Sequence, residues 1–111
     1  MREIKLGDTV VAVRATPLAL LYYRQAFKSD LLGSLVKMKG IEKDLSKLDF
    51  VTFLQMIWAM AKANLALGAT FPGFEAWLAT LDSLDISDPE LLVAVMEEAE
   101  EGFFRGGRNR K

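Results

Sequence analysis

The chain has 111 residues with 14 Lys+Arg, 15 Asp+Glu, no His and no Cys. That length is the commonest size of a single domain. Hydrophobic residues make up 51% before glycine is added, against about 45–50% with glycine included in ordinary soluble domains. Such a composition excludes a disordered chain. Without His and Cys there is no imidazole base, thiol nucleophile, disulfide or usual zinc site, so an enzyme is not expected and no cofactor is implied.

The net charge of −1 conceals a segregation. Residues 1–49 carry nine basic and six acidic side chains, residues 50–104 carry Lys62 against nine acids, and residues 105–111 add four bases. An acidic body between basic ends predicts attraction between copies.

Residues 2–14 alternate: Ile4 and Leu6, then Val11 and Val13, flank Gly7-Asp8, which predicts a hairpin of strands 2–6 and 9–14. The N-terminus is charged and has no apolar stretch of a secretory leader, so the cytoplasm is the expected compartment. Thr16-Pro17 reads as N-cap and first helical residue. The helix is expected from Pro17 to Lys28, with Leu20, Leu21, Tyr23 or Arg24, and Phe27 on its buried face. Ser29-Asp30 caps a second helix whose stripe is Leu31, Leu32, Leu35, Val36 and Met38–Lys39; Gly33 weakens it and Gly40 ends it. Residues 41–49 read as a short helical turn or linker.

Asp49 then caps a third helix, Phe50 to Leu67, in which only Thr52, Gln55, Lys62 and Asn64 are polar. A helix apolar on nearly all sides is wrapped by its own fold, shared with another chain, or inserted in a membrane. Its length sits at the lower limit for a span, and its polar residues argue against one. A central core helix with an interface edge is the expectation, and Phe53, Met56, Ile57 and Met60 are the partner-contact candidates, since methionine adapts to varied client surfaces. Gly68 is expected to stop this helix. A loop at Thr70-Phe71-Pro72-Gly73 precedes a short helix from Phe74 to Leu81, with Phe74, Trp77, Leu78 and Leu81 on one face. After a connector over 82–88, Asp88-Pro89 opens a last helix to about Phe104. Its inner face is Leu91, Leu92, Val95, Met96, Ala99 and Phe103, and its acids, Glu97, Glu98, Glu100 and Glu101 included, are expected on the solvated side. Gly106-Gly107 releases a basic tail over 105–111.

None of the remaining polar clusters has the pattern its chemistry requires. Asp82, Asp85 and Asp88 lack the alternating ligands, central Gly and distal Glu of a calcium loop. The Glu97–Glu101 carboxylates have no burial that would drive their pKa values apart. The tail lacks the wide basic surface of a nucleic-acid site. Tyr22, Tyr23, Trp58 and Trp77 fall in helical stripes and read as packing anchors. The fold expected is α+β, predominantly α-helical: an N-terminal hairpin and four to five helices around Phe50–Leu67, one domain over 1–104.

Four segments, REIKLGDTVVAVRATPLALLYYRQAFKSDLL, FLQMIWAMAKA, FPGFEAWL and VMEEAEEGFFR, resemble the tail assembly chaperones of long-tailed bacteriophages and prophages of Gram-positive bacteria. The resemblance implies a non-enzymatic protein of the host cytoplasm that coats the tape measure protein, keeps its apolar helices soluble and recruits tail tube protein. It also implies self-association, absence from the finished virion, and in many members a longer frameshifted form. The family has no motif that maps binding residues onto this chain. Two other readings compete: a small prophage DNA-binding regulator, with helices 17–28 and 30–39 as a helix-turn-helix, and a virion structural tail or connector protein. Against the regulator, the second helix is too apolar for base contact. No nucleic acid and no membrane is expected as a partner.

Overall fold

The computed structural model describes residues 2–39, 49–81 and 89–104. The fold is α+β and predominantly helical: strands β1 (Arg2–Leu6) and β2 (Thr9–Val13) precede helices α1 (Pro17–Phe27), α2 (Leu31–Lys39), α3 (Phe50–Ala63), α4 (Phe74–Ala79) and α5 (Pro89–Ala99), and α5 runs into a π-helical turn, Glu100–Phe104. The expected linker over 41–48, the helix stop at Gly40, the aspartates of the 82–88 connector and the tail from 105 lie outside the described residues.

β1 and β2 pair antiparallel from Arg2 opposite Val13 to Leu6 opposite Thr9. The two-residue loop places Gly7 at φ 63°, the positive φ that a type II′ hairpin turn needs at its first central position. Alternation puts Ile4, Leu6, Val11 and Val13 into the core and leaves Glu3, Lys5 and Val10 exposed. A lone hairpin is marginal in water; here its apolar face rests on helices, β1 along α5 and β2 along α3.

Pro17 occupies the first turn of α1 as expected, but Thr16 caps by backbone alone: Ala19 N–H donates to its carbonyl at 2.9 Å, and its hydroxyl is buried without a partner among the described residues. α1 ends one residue early because Lys28 turns left-handed at φ 56° and its N–H closes onto Arg24 C=O. The buried face of α1 also differs from expectation. Ala19 and Tyr23, one turn apart, are its buried residues, while Leu21 is 47% exposed. The methyl of Ala19 permits close approach to α3, and the bulkier Leu20 and Phe27 lie at the margin, half-buried. Asp30 caps α2 by accepting the Leu32 N–H.

α3 is the centre of the molecule. Asp49 accepts the Thr52 N–H at 3.2 Å and its hydroxyl at 2.8 Å, a side-chain cap that satisfies an otherwise orphaned donor. Every residue from Met56 to Ala61 is buried. The helix stops at Ala63 rather than Leu67, for a reason outside its own sequence. The Met60 carbonyl accepts the Arg14 N–H at 3.0 Å from the end of β2, and Asn64 N–H turns to Ala61 instead. Gly68, at φ 90°, serves the following turn, in which Ala69 N–H donates to Ala66 C=O.

Trp58 of α3 donates from Nε1 to the Pro72 carbonyl at 3.0 Å, which ties the 64–73 loop to the core. Phe27 stands edge-on to Tyr23, Trp58 and Phe74 with ring centroids 5.1–5.5 Å apart, a favoured aromatic arrangement. A single apolar cluster joins the hairpin and all five helices. No helix among the described residues is long and apolar enough to cross a membrane.

Candidate functional site

Three helices leave a groove between them. α1 contributes its floor through Tyr23 and Phe27; one wall is Ser34, Lys37 and Met38 of α2, and the other is the Asp49 cap with Thr52 and Gln55 of α3. The groove encloses about 400 Å³, within the range of roughly 300–1,000 Å³ usual for ligand clefts. It exists because α2 leans on α1 rather than on α3. Leu31, Leu35 and Met38 bury the inner stripe of α2, and Tyr23 Oη meets Ser34 Oγ at 3.2 Å, which fixes the floor to one wall.

The groove is mixed in character. Tyr23 and Met38 are themselves only 1% and 3% exposed, so the half-buried Phe27 ring is the aromatic surface the groove offers, with a hydroxyl on each wall and opposite charges, Lys37 and Asp49, on the two walls. The Thr52 hydroxyl, then the Thr52 N–H, donates to the Asp49 carboxylate and holds its pKa below the ordinary aspartate value. The anion is also placed where the helix dipole favours it. Such a groove suits an amphipathic helix: apolar side chains go to the floor and polar ones meet the walls.

The four expected contact residues lie elsewhere. Phe53 is 2% exposed, and Met56, Ile57 and Met60 are fully enclosed, so in this structure these side chains pack in the protein's own core. The apolar residues of so uniform a helix do not themselves indicate which stripe faces outward. The side of α3 that lines the groove carries Thr52 and Gln55, and that polar pair three residues apart was the available signal. Met38 and Tyr23 carried none, because they match the core pattern equally well.

A polar cluster away from the groove joins β1 to α5 and the π-helical turn. Arg2 of β1 reaches Glu97 at 3.1 Å, Glu98 at 3.6 Å and Glu101 at 3.4 Å. Glu98 is not on a solvated face as expected: it is 6% exposed and accepts the Ala15 N–H at 3.0 Å. Its burial is forced by the approach of α5 to the β2–α1 junction, where Gly102 lies so close that a Cβ there would overlap the Ala15 carbonyl. Part of the segregated charge is therefore satisfied inside one chain. Among the described residues no cluster of acidic side chains is arranged to hold a metal ion. Lys62 stands over the rings of Tyr22 and Trp58 at 4.4 and 5.3 Å, a cation–π contact that covers the far end of α3.

No family model matches the chain, and no curated protein and no solved structure matches it.

Proposed function

We propose that this protein is a tail assembly chaperone that holds an apolar helical segment of the tape measure protein in the groove between α1, α2 and α3 and supports tail tube assembly, with self-association of the chaperone. The reading rests on the four sequence segments that resemble that family. The observation that supports it in the structure is the groove itself: a cleft of about 400 Å³ in which the Phe27 ring lies between walls of opposite charge, Lys37 and Asp49. Burying client side chains there is favourable by roughly 25 cal/mol per Å² of apolar surface, and the wall hydroxyls and charges fix orientation without chemistry.

In this reading the protein acts in the host cytoplasm and is left out of the finished virion. Co-expression with the tape measure gene of the same phage tests it: the tape measure protein becomes soluble and the two co-purify. An unchanged, insoluble tape measure protein overturns the reading. Mass spectrometry of purified particles decides against a structural tail subunit if the chain is missing from them.

A further inference from the structure

A two-stranded sheet has two outer edges, and they differ here. The outer edge of β2 is engaged where Arg14 N–H donates to Met60. Among the described residues no strand or backbone hydrogen bond covers the outer edge of β1. In a two-residue hairpin the residues flanking the loop, Leu6 and Thr9, form a hydrogen-bonded pair, and such pairs alternate along the ladder. Arg2, Ile4 and Leu6 therefore direct their backbone groups to β2, and Glu3 and Lys5 direct theirs outward. The outward-facing Arg14 N–H fixes the same parity on β2. The Glu3 and Lys5 side chains are exposed, and neither has an ion pair or hydrogen bond among the described residues. A groove of about 220 Å³ runs along this edge between β1 and α5, lined by Glu3, Ile4 and Lys5 on one side and Glu90, Leu91 and Ala94 on the other. It continues onto the outer surface of α5, where Val93, 52% exposed, and Ala94 lie between Glu90 and Glu97.

We propose that the β1 edge is a self-pairing surface: two copies join β1 to β1 antiparallel about a two-fold axis through Ile4, making one four-stranded sheet. The register follows from charge and parity. With Ile4 opposite Ile4 of the second copy, Glu3 lies opposite Lys5 of that copy, and Lys5 opposite its Glu3. Both pairs are of the hydrogen-bonded kind, so four backbone N–H···O=C bonds form and two opposite-charge pairs stand on the exposed face. A shift of one residue turns the buried face of β1 outward. The neighbouring symmetric registers set Glu3 against Glu3 or Lys5 against Lys5, and like charges directly opposite are destabilising. One register thus satisfies backbone, charge and face together, as a closed two-fold interface requires. α5 lies beneath β1, with Arg2 held by Glu97 and Glu98 of that helix. An unpaired edge strand is otherwise a liability that proteins cover. The inference needs only the strand edge and is independent of the client reading.

Sedimentation velocity of the full chain over a concentration series tests it. The wild type forms a concentration-dependent dimer that weakens as salt rises. E3K and K5E each create two like-charge pairs and give monomers, with circular dichroism unchanged and, because both side chains are exposed, a melting temperature equal to that of the wild type at concentrations where the wild type is monomeric. The double variant E3K/K5E restores opposite pairing and the dimer. Mixing the two single variants yields a heterodimer although each alone is monomeric, since a basic strand then faces an acidic one. K5P removes an outward N–H without touching the β1–β2 ladder and also gives a monomer. A wild type that stays monomeric at hundreds of micromolar overturns the proposal, as does a dimer indifferent to E3K and K5E or a mixture that fails to pair. A monomer whose β1 edge instead takes up a strand of another protein overturns it equally.

Discussion

Removing the Glu98 carboxylate strands a buried donor and unbalances a cation at once. The Ala15 N–H that it accepts is buried, and Arg2 Nε lies 3.6 Å away. Leaving a buried donor unsatisfied costs about 1–3 kcal/mol, and each kcal/mol lowers the melting temperature of a domain near this size by roughly 4–8 °C. Glu98→Ala is therefore expected to melt several degrees below wild type in calorimetry. Glu98→Gln keeps an acceptor for Ala15 and is expected to fall between the two; equal losses for Ala and Gln would assign the effect to charge alone. At Asp49 the direction of the pKa shift sets the pH dependence. The folded carboxyl titrates below the unfolded one, chiefly through the Thr52 hydroxyl, so the cap contributes fully above the ordinary aspartate range and loses its contribution as pH falls through the lowered folded value. Thr52→Val removes the hydroxyl and leaves the N–H. The NMR titration midpoint of the Asp49 carboxyl should then move up towards the ordinary value, with a stability loss below about 1 kcal/mol because the site is open to water.

At the scale of elements, the approach of the last helix to the β2–α1 junction is set by one missing side chain. A Cβ on Gly102 would overlap the Ala15 carbonyl oxygen and Cβ, and both belong to a segment held by the Arg14–Met60 and Ala15–Glu98 hydrogen bonds. Gly102→Ala is expected to displace the π-helical turn and destabilise by about 1–3 kcal/mol, the usual cost of overpacking; an unchanged denaturant midpoint would show that the turn yields freely. This element also marks where sequence pattern stops being informative. Capping and periodicity are local, so Asp30, Asp49, Gly7-Asp8 and Pro17 announce their elements correctly. The end of α3 at Ala63 and the burial of Glu98 depend on partners some 46 and 83 positions away, Arg14 and Ala15, which no window along the chain contains. The groove was hidden for the same reason: its floor and walls come from three helices, and each of Tyr23, Met38 and Thr52 reads locally as core or cap.

For the whole molecule, the apolar surplus of the sequence resolves into two populations. Among the described residues most of it, including Phe53, Met56, Ile57 and Met60, is enclosed around α3, while Val10, Leu21, Val36, Val51, Leu65, Leu67 and Val93 remain exposed, scattered over the elements apart from the neighbouring Leu65 and Leu67. Isolated exposed apolar residues are normal in a soluble chain, so a client site has to be argued from concavity rather than from the apolar total. This distinction gives a pair of substitutions on one helix with opposite expected phenotypes. Met60→Ala opens a void in the enclosed core and is expected to cost about 2–5 kcal/mol, read as a lower denaturant midpoint, while the α1–α2–α3 groove keeps its lining. Gln55→Trp projects an indole into the groove from the α3 wall. It disturbs no buried side chain, so the melting temperature should stay within a degree or two of wild type, yet the filled groove should no longer co-purify the tape measure protein. If Gln55→Trp folds normally and still keeps that client soluble, the groove is not where the client sits. If Met60→Ala loses the client while still folded, the enclosed core must open during binding, and α3 would be the contact surface after all.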